Sequence, residues 1–168
     1  MIEDRALAIH SEESEQAVIG AILVDENCFD IVRDWIPEKE VFYKYKHQEI
    51  WEAISELRRE NIPVDFVNIS SKIRGITYYL TGLVDKVPTT ANITSYARQL
   101  NEDWLRRKLV KQSLIIAKKA LDNTNDISKL LEDVHETAGS LINLEPGQHF
   151  DIDELLEQTK ESLFTKKN

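Results

Sequence analysis

Apolar residues recur along this chain at three- and four-residue intervals, with polar and charged residues filling the positions between them. After Val41, the apolar positions Ile50, Ala53, Ile54 and Leu57 fall at i, i+3, i+4 and i+7, the spacing of a helix with one face in a core. The same reading predicts helices along most of the sequence. Ser11 caps a first helix through about Val24, with Ala17, Val18, Ala21 and Ile22 as its buried stripe. Glu12, Glu13 and Glu15 then sit near the positive end of its dipole. A second helix runs from about Asn27 to Ile36 and stops at Pro37, and a third covers 44–60. Asp65 caps a short helix to about Arg74, another occupies Thr77–Asp85, and Thr89 or Thr90 begins the longest, continuous to Leu121.

Asp122-Asn123-Thr124-Asn125-Asp126 is a polar turn with ready caps. The helix after it carries Ile127, Leu131, Val134, Ala138 and Leu141, a 4-3-4-3 spacing that predicts a coiled-coil-like seam widened by Leu130 and Ile142. The last two helices therefore form an antiparallel hairpin. Its first arm carries Leu105, Leu109, Val110, Leu114, Ile115, Ile116, Ala117, Ala120 and Leu121, which wrap too far around for one partner helix to cover. An apolar surface of that size predicts an interface with another copy or another protein. The expected interface positions are Leu109, Leu114, Ile115, Ala120, Leu121, Ile127, Leu130 and Leu131. Leu131→Glu is expected to disrupt the hairpin by burying an unpaired charge.

Glu145-Pro146-Gly147-Gln148-His149 breaks the chain, and an amphipathic segment follows with Ile152, Leu155, Leu156 and Leu163. So short a helix is unstable alone and is expected to borrow a partner. The reading is thus an all-α chain: a globular helical bundle over 1–100, an antiparallel helical hairpin over 101–145, and a linker helix within 146–168.

Composition narrows the function classes. Five glycines and four prolines in 168 residues suit a helical chain, and a formal charge of -9 speaks against an extended phosphate-binding surface. A single cysteine excludes an internal disulfide framework, and neither a signal peptide nor a membrane-length apolar run is present. The expected compartment is cytoplasmic.

Little here points to chemistry. No glycine is followed by the Lys-Ser/Thr of a phosphate loop, so no cofactor, catalytic or metal residue is assigned. Glu132-Asp133-Val134-His135 has the Glu-x-x-His spacing of di-iron bundles, yet no second such pair exists, and His135 reads as a surface residue. Cys28 reads as a small buried hydrophobe, and His47 as a satisfied histidine in a packed helix. Arg106, Arg107, Lys108, Lys111, Lys118 and Lys119 form the one basic stretch, beside Trp104, and acids of the second arm are placed to neutralise it.

Three blocks carry a family resemblance. His10-Ser11-Glu12-Glu13-Ser14-Glu15-Gln16-Ala17-Val18-Ile19-Gly20-Ala21-Ile22-Leu23 opens the chain. Phe42-Tyr43 follows with His47, Ile50 and Ala53, leading to Pro63-Val64-Asp65, and then comes Val87-Pro88-Thr89-Thr90-Ala91-Asn92-Ile93-Thr94-Ser95-Tyr96-Ala97-Arg98. In this order they resemble the N-terminal domain of DnaB-type replicative DNA helicases. Ile9 stands where that family usually has proline, and Ile73–Tyr79 is shorter than its usual insert. The resemblance implies a collar that assembles subunits as dimers and hexamers (a trimer of dimers) and receives the C-terminal domain of primase, while the charge pattern leads to the expectation of little direct DNA binding. It also implies a linker helix docking on a neighbouring subunit's ATPase domain. ATP and Mg would belong to a C-terminal domain beyond residue 168, so this chain is expected to be a non-catalytic segment of a helicase. Phe42, Tyr43, His47 and Asn92 are assigned to fold and capping. The alternative is a stand-alone adaptor or inhibitor that binds primase or helicase subunits.

Overall fold

The computed structural model describes residues 8–87 and 89–144. These form seven α-helices and one 3-10 turn, with no strand among the described residues: α1 (Glu12–Val24), α2 (Cys28–Val32), the 3-10 turn Lys39–Val41, α3 (Tyr45–Arg59), α4 (Phe66–Lys72), α5 (Thr77–Val84), α6 (Ile93–Ala120) and α7 (Ile127–Ile142).

Local chemistry explains most boundaries. Ser11 starts α1 by accepting the Ser14 N–H through its hydroxyl, and Asp65 starts α4 by accepting the Asn68 N–H at 2.7 Å. Helix α3 ends in a Schellman turn. Asn61 adopts a left-handed φ of 55°, which lets Ile62 N–H reach the Leu57 carbonyl and Asn61 N–H reach that of Arg58.

Two boundaries differ from expectation. The second helix stops at Val32, because Trp35 and Ile36 bond three residues back, to Val32 and Arg33, in tight turns leading to Pro37. The long helix starts at Ile93, since Thr89–Asn92 form a turn in which the Thr89 hydroxyl accepts the Ala91 N–H. Asn92 occupies the cap position, but its side chain makes no capping bond, which corrects its assigned role.

The core lies where α1 packs on α5, α6 and α3. Val18, Ile19 and Ile22 of α1 meet Ile50, Ile54 and Leu57 of α3, Leu80 and Leu83 of α5, and Ala97, Leu100 and Trp104 of α6 in one cluster. Phe42 and Phe29 flank Trp51, with ring centroids 5.6 and 5.1 Å away. Cys28 is buried and His135 exposed, as read from sequence. Helix α6 serves two structures at once. Its first three turns belong to this head, and the remainder runs on unbroken as the first arm of the hairpin that α7 completes.

Candidate protein–protein interface

The head offers a rigid base. Glu15 and His47 are both fully buried, each on the apolar stripe of its helix. The Glu15 carboxylate accepts from Tyr43 N–H at 2.5 Å, from Lys44 N–H at 3.3 Å and from His47 Nδ1 at 2.5 Å. The other ring nitrogen, Nε2, is hydrogen-bonded to the Tyr79 hydroxyl at 2.6 Å. This chain of bonds ties α1, the turn before α3, α3 and α5 together. Glu15 therefore does more than complement the helix dipole, the role expected from its position near the helix start. Burial pushes the Tyr79 hydroxyl above its ordinary value, while Lys44 holds the Glu12 carboxyl below the usual carboxylate range. No buried side-chain polar atom among the described residues lacks a partner, and no group of acids, histidines or cysteines there is placed to hold a metal ion.

The basic stretch does not form one basic face. Arg107 turns inward to three backbone carbonyls, and burial pulls its guanidinium below its ordinary value. Lys108 pairs with Glu38 at 3.1 Å and sits over the Trp104 ring, and Lys119 reaches Asp133 at 2.6 Å. Arg106 lies on the opposite flank of α6 from Lys111 and Lys118, at about 100° of rotation per residue.

The hairpin is held along narrow stripes. On α7 the more buried line is Leu130, Asp133, Thr137 and Leu141. On α6 it is Leu105, Lys108, Gln112 and Ile116. The Lys119–Asp133 bond joins the arms, and Asp126 caps α7 by accepting the Ser128 N–H at 2.8 Å. The expected 4-3-4-3 seam is thus displaced: Leu130 is 7% exposed, whereas Leu131 is 62% and Ile127 66% exposed. Glutamate at 131 would not be buried within one chain. The physical reason is that α7 carries two adjacent apolar stripes, and only one can face α6.

The second stripe defines a surface. Lys119 and Asp133 lie on one side of the contact between the arms. Counting about 100° per residue, Ile127, Leu131, Val134, Ala138 and Ile142 fall on the other side of α7. Leu109 and Ala120 of α6 fall on that same side. All seven are exposed, and they lie along one flank of a two-helix layer. Of the eight expected interface positions, Leu109, Ala120, Ile127 and Leu131 meet here. Leu130 is inside the hairpin, and Leu114, Ile115 and Leu121 point elsewhere around α6. The sequence reading missed Val134, Ala138 and Ile142 as interface positions because it spent them on the internal seam. The linker positions Ile152, Leu155, Leu156 and Leu163 lie outside the described residues.

A profile of the DnaB-like helicase N terminal domain matches residues 8–102. The chain belongs to this family. It is 29% identical over 173 residues to the replicative DNA helicase DnaC of Bacillus subtilis (strain 168), an alignment covering 97% of this chain and 37% of that protein. It is 33% identical over 132 residues to the replicative DNA helicase DnaB of Geobacillus stearothermophilus, covering 73% of this chain and 29% of the relative. The chain thus spans less than two-fifths of these helicases. The crystal structure of the N-terminal domain of DnaB helicase from Mycobacterium tuberculosis superposes with a TM-score of 0.70 at 24% identity, covering 79% of this chain and 97% of that one. A DnaB-like replicative helicase whose structure was described with its interactions with primase superposes at 0.63, with 22% identity over 89% of this chain and 35% of its own. The all-α architecture agrees with both. No helix among the described residues is long and apolar enough to cross a membrane.

Proposed function

We propose that this chain is the assembly collar of a hexameric replicative helicase, joining subunits through the hairpin and receiving the C-terminal domain of primase. The observation that carries the proposal is the continuous exposed apolar flank of the hairpin, running from Ile127 to Ile142 on α7 and including Leu109 and Ala120 on α6. Two copies laid flank to flank would bury it as a four-helix layer, and a two-fold contact of this kind uses the same patch on both partners. Family membership and the primase interactions of the structural relative support the primase role. In this reading ATP and Mg serve a C-terminal motor domain of the full-length helicase. The segment with Ile152, Leu155, Leu156 and Leu163 docks on a neighbouring motor, and the protein works in the cytoplasm.

Sedimentation equilibrium tests the reading, with the chain alone and with the primase C-terminal domain. The wild type is expected to self-associate with concentration. Leu131→Glu places a charge in the apolar contact of the assembly but leaves the single chain intact, so it should weaken association more than about 100-fold. Near-ultraviolet circular dichroism of the three tryptophans reports whether the head stays folded. Unchanged assembly in the variant would overturn the proposal, as would a wild type that stays monomeric and ignores primase.

A further inference from the structure

Helix α6 runs from Ile93 to Ala120 with neither glycine nor proline to fix a bend, so side-chain contacts where head gives way to hairpin decide the direction it takes. Its last fully buried residue is Trp104. One turn later the Arg107 side chain reaches backbone from two segments far away in sequence. Its guanidinium donates to the Ile9 carbonyl at 2.8 Å, the Glu40 carbonyl at 3.1 Å and the Val41 carbonyl at 2.9 Å. It also lies over the Tyr43 ring, 5.7 Å from the centroid, and Tyr43 stacks on His10 at 4.0 Å with planes 12° apart. On the neighbouring position Lys108 ties the same turn to Glu38.

We propose that Arg107 is a positioning residue that pins the hairpin's orientation to the head, and that the arm at Ile9 and His10 is part of the pinned joint. Two nitrogens of one rigid fork divide the work, Nη1 on the Ile9 carbonyl and Nη2 on those of Glu40 and Val41, a spread that the single ammonium nitrogen of a lysine does not reproduce. The lever is long. From Arg107 to Leu121 the helix runs about 20 Å, so a kink of about 20° there moves the hairpin tip by about 7 Å. Whatever displaces the Ile9–His10 arm would free Arg107 and so redirect the hairpin flank without touching it. This inference concerns the joint within one chain and holds or fails independently of self-association.

Single-molecule energy transfer tests it at dilutions where any oligomer has dissociated. Dyes are placed at Tyr78→Cys on the head, where the side chain is 93% exposed, and at Asn123→Cys at the hairpin tip, with Cys28 buried. The parent is expected to give one narrow transfer distribution. Arg107→Ala and Arg107→Lys should both broaden and shift it, and so should Tyr43→Leu, which removes the ring between Arg107 and His10. A core variant such as Ile69→Val should lower the Tm while leaving the distribution in place, which separates positioning from a merely structural role. Should Arg107→Ala fail to fold, Arg107→Lys carries the test. A parent distribution that is already broad, or folded Arg107 variants that superpose on the parent, would overturn the inference.

Discussion

Replacing Glu15 with alanine removes the one acceptor on which three donors converge. The side chain is fully buried, and Tyr43 N–H, Lys44 N–H and His47 Nδ1–H all point at its two oxygens. Each buried donor left without a partner costs about 1–3 kcal/mol. The Lys44 bond, at 3.3 Å, is the longest of the three, so its loss costs least. Losing the other two gives an expected destabilisation of about 2–6 kcal/mol. Against a typical total stability of about 5–15 kcal/mol, this is a large share of what holds the head folded. Glu13→Ala is the matched control. It sits two residues away in the same first turn but is exposed, so it loses only the helix-dipole contribution of about 0.3–1 kcal/mol. Glu15→Gln should fall between them, because its amide keeps one oxygen acceptor while turning an NH2 toward existing donors. Urea unfolding followed by circular dichroism at 222 nm, with equal slopes confirmed, yields the differences. If Glu15→Ala and Glu13→Ala lost similar amounts, helix-start electrostatics would suffice and the buried network would contribute nothing.

Three further perturbations address separate links. A methyl group on Gly20 would come within 2.4 Å of Val87 Cγ2 and 2.7 Å of the Leu83 carbonyl oxygen, so α1 and α5 must part; Gly20→Ala is expected to cost about 1–3 kcal/mol by thermal unfolding. Asn61→Val forces a β-branched residue into the left-handed region at φ 55° and should cost about 1–2 kcal/mol, while Asn61→Gly should be close to neutral. Lys119, through its hydrogen bond, holds the Asp133 carboxyl below its ordinary value of 3.8. A carboxyl depressed in the folded state contributes stability above that ordinary value and loses it as pH falls through the lower folded value. Protection of the hairpin-tip amides, each rate taken relative to its unstructured value at that pH, should therefore fall below about pH 4 in the parent, and Asp133→Asn should reduce the fall to the part that Asp122 contributes through its bonds to Thr124.

The helices and most of their ends were legible because short-range chemistry sets them. Ser11 and Asp65 cap as read, and Thr77–Val84 matches the expected segment within one residue. What the sequence could not decide was long-range or a choice between equals. Among Glu12, Glu13 and Glu15 nothing local marks the buried one. A signal was nonetheless present, since Glu15 shares a stripe with Val18, Ile19 and Ile22, and His47 shares one with Ile50, Trp51 and Ile54. Two ionisable groups, each interrupting an apolar stripe, are best accommodated by pairing with one another, and a stripe-by-stripe reading would have joined them. Arg107 offered no such signal. Its partners are backbone carbonyls 66 to 98 residues away, and any exposed arginine in a basic run looks the same.

The hairpin shows the second kind of limit. An amphipathic helix declares how wide its apolar arc is but not where along that arc its intrachain neighbour sits. On α7 the arc spans two stripes, and choosing Leu131 over Leu130 as the internal contact was an even choice at the level of spacing. The structure puts Leu130 inside, and that same choice leaves Ile127, Leu131, Val134, Ala138 and Ile142 facing outward together. The excess apolar width that made the sequence ambiguous is thus itself the argument for a partner. A hairpin needing only its own two arms could be covered by one stripe on each helix, and the second stripe has work to do only when another surface lies against it.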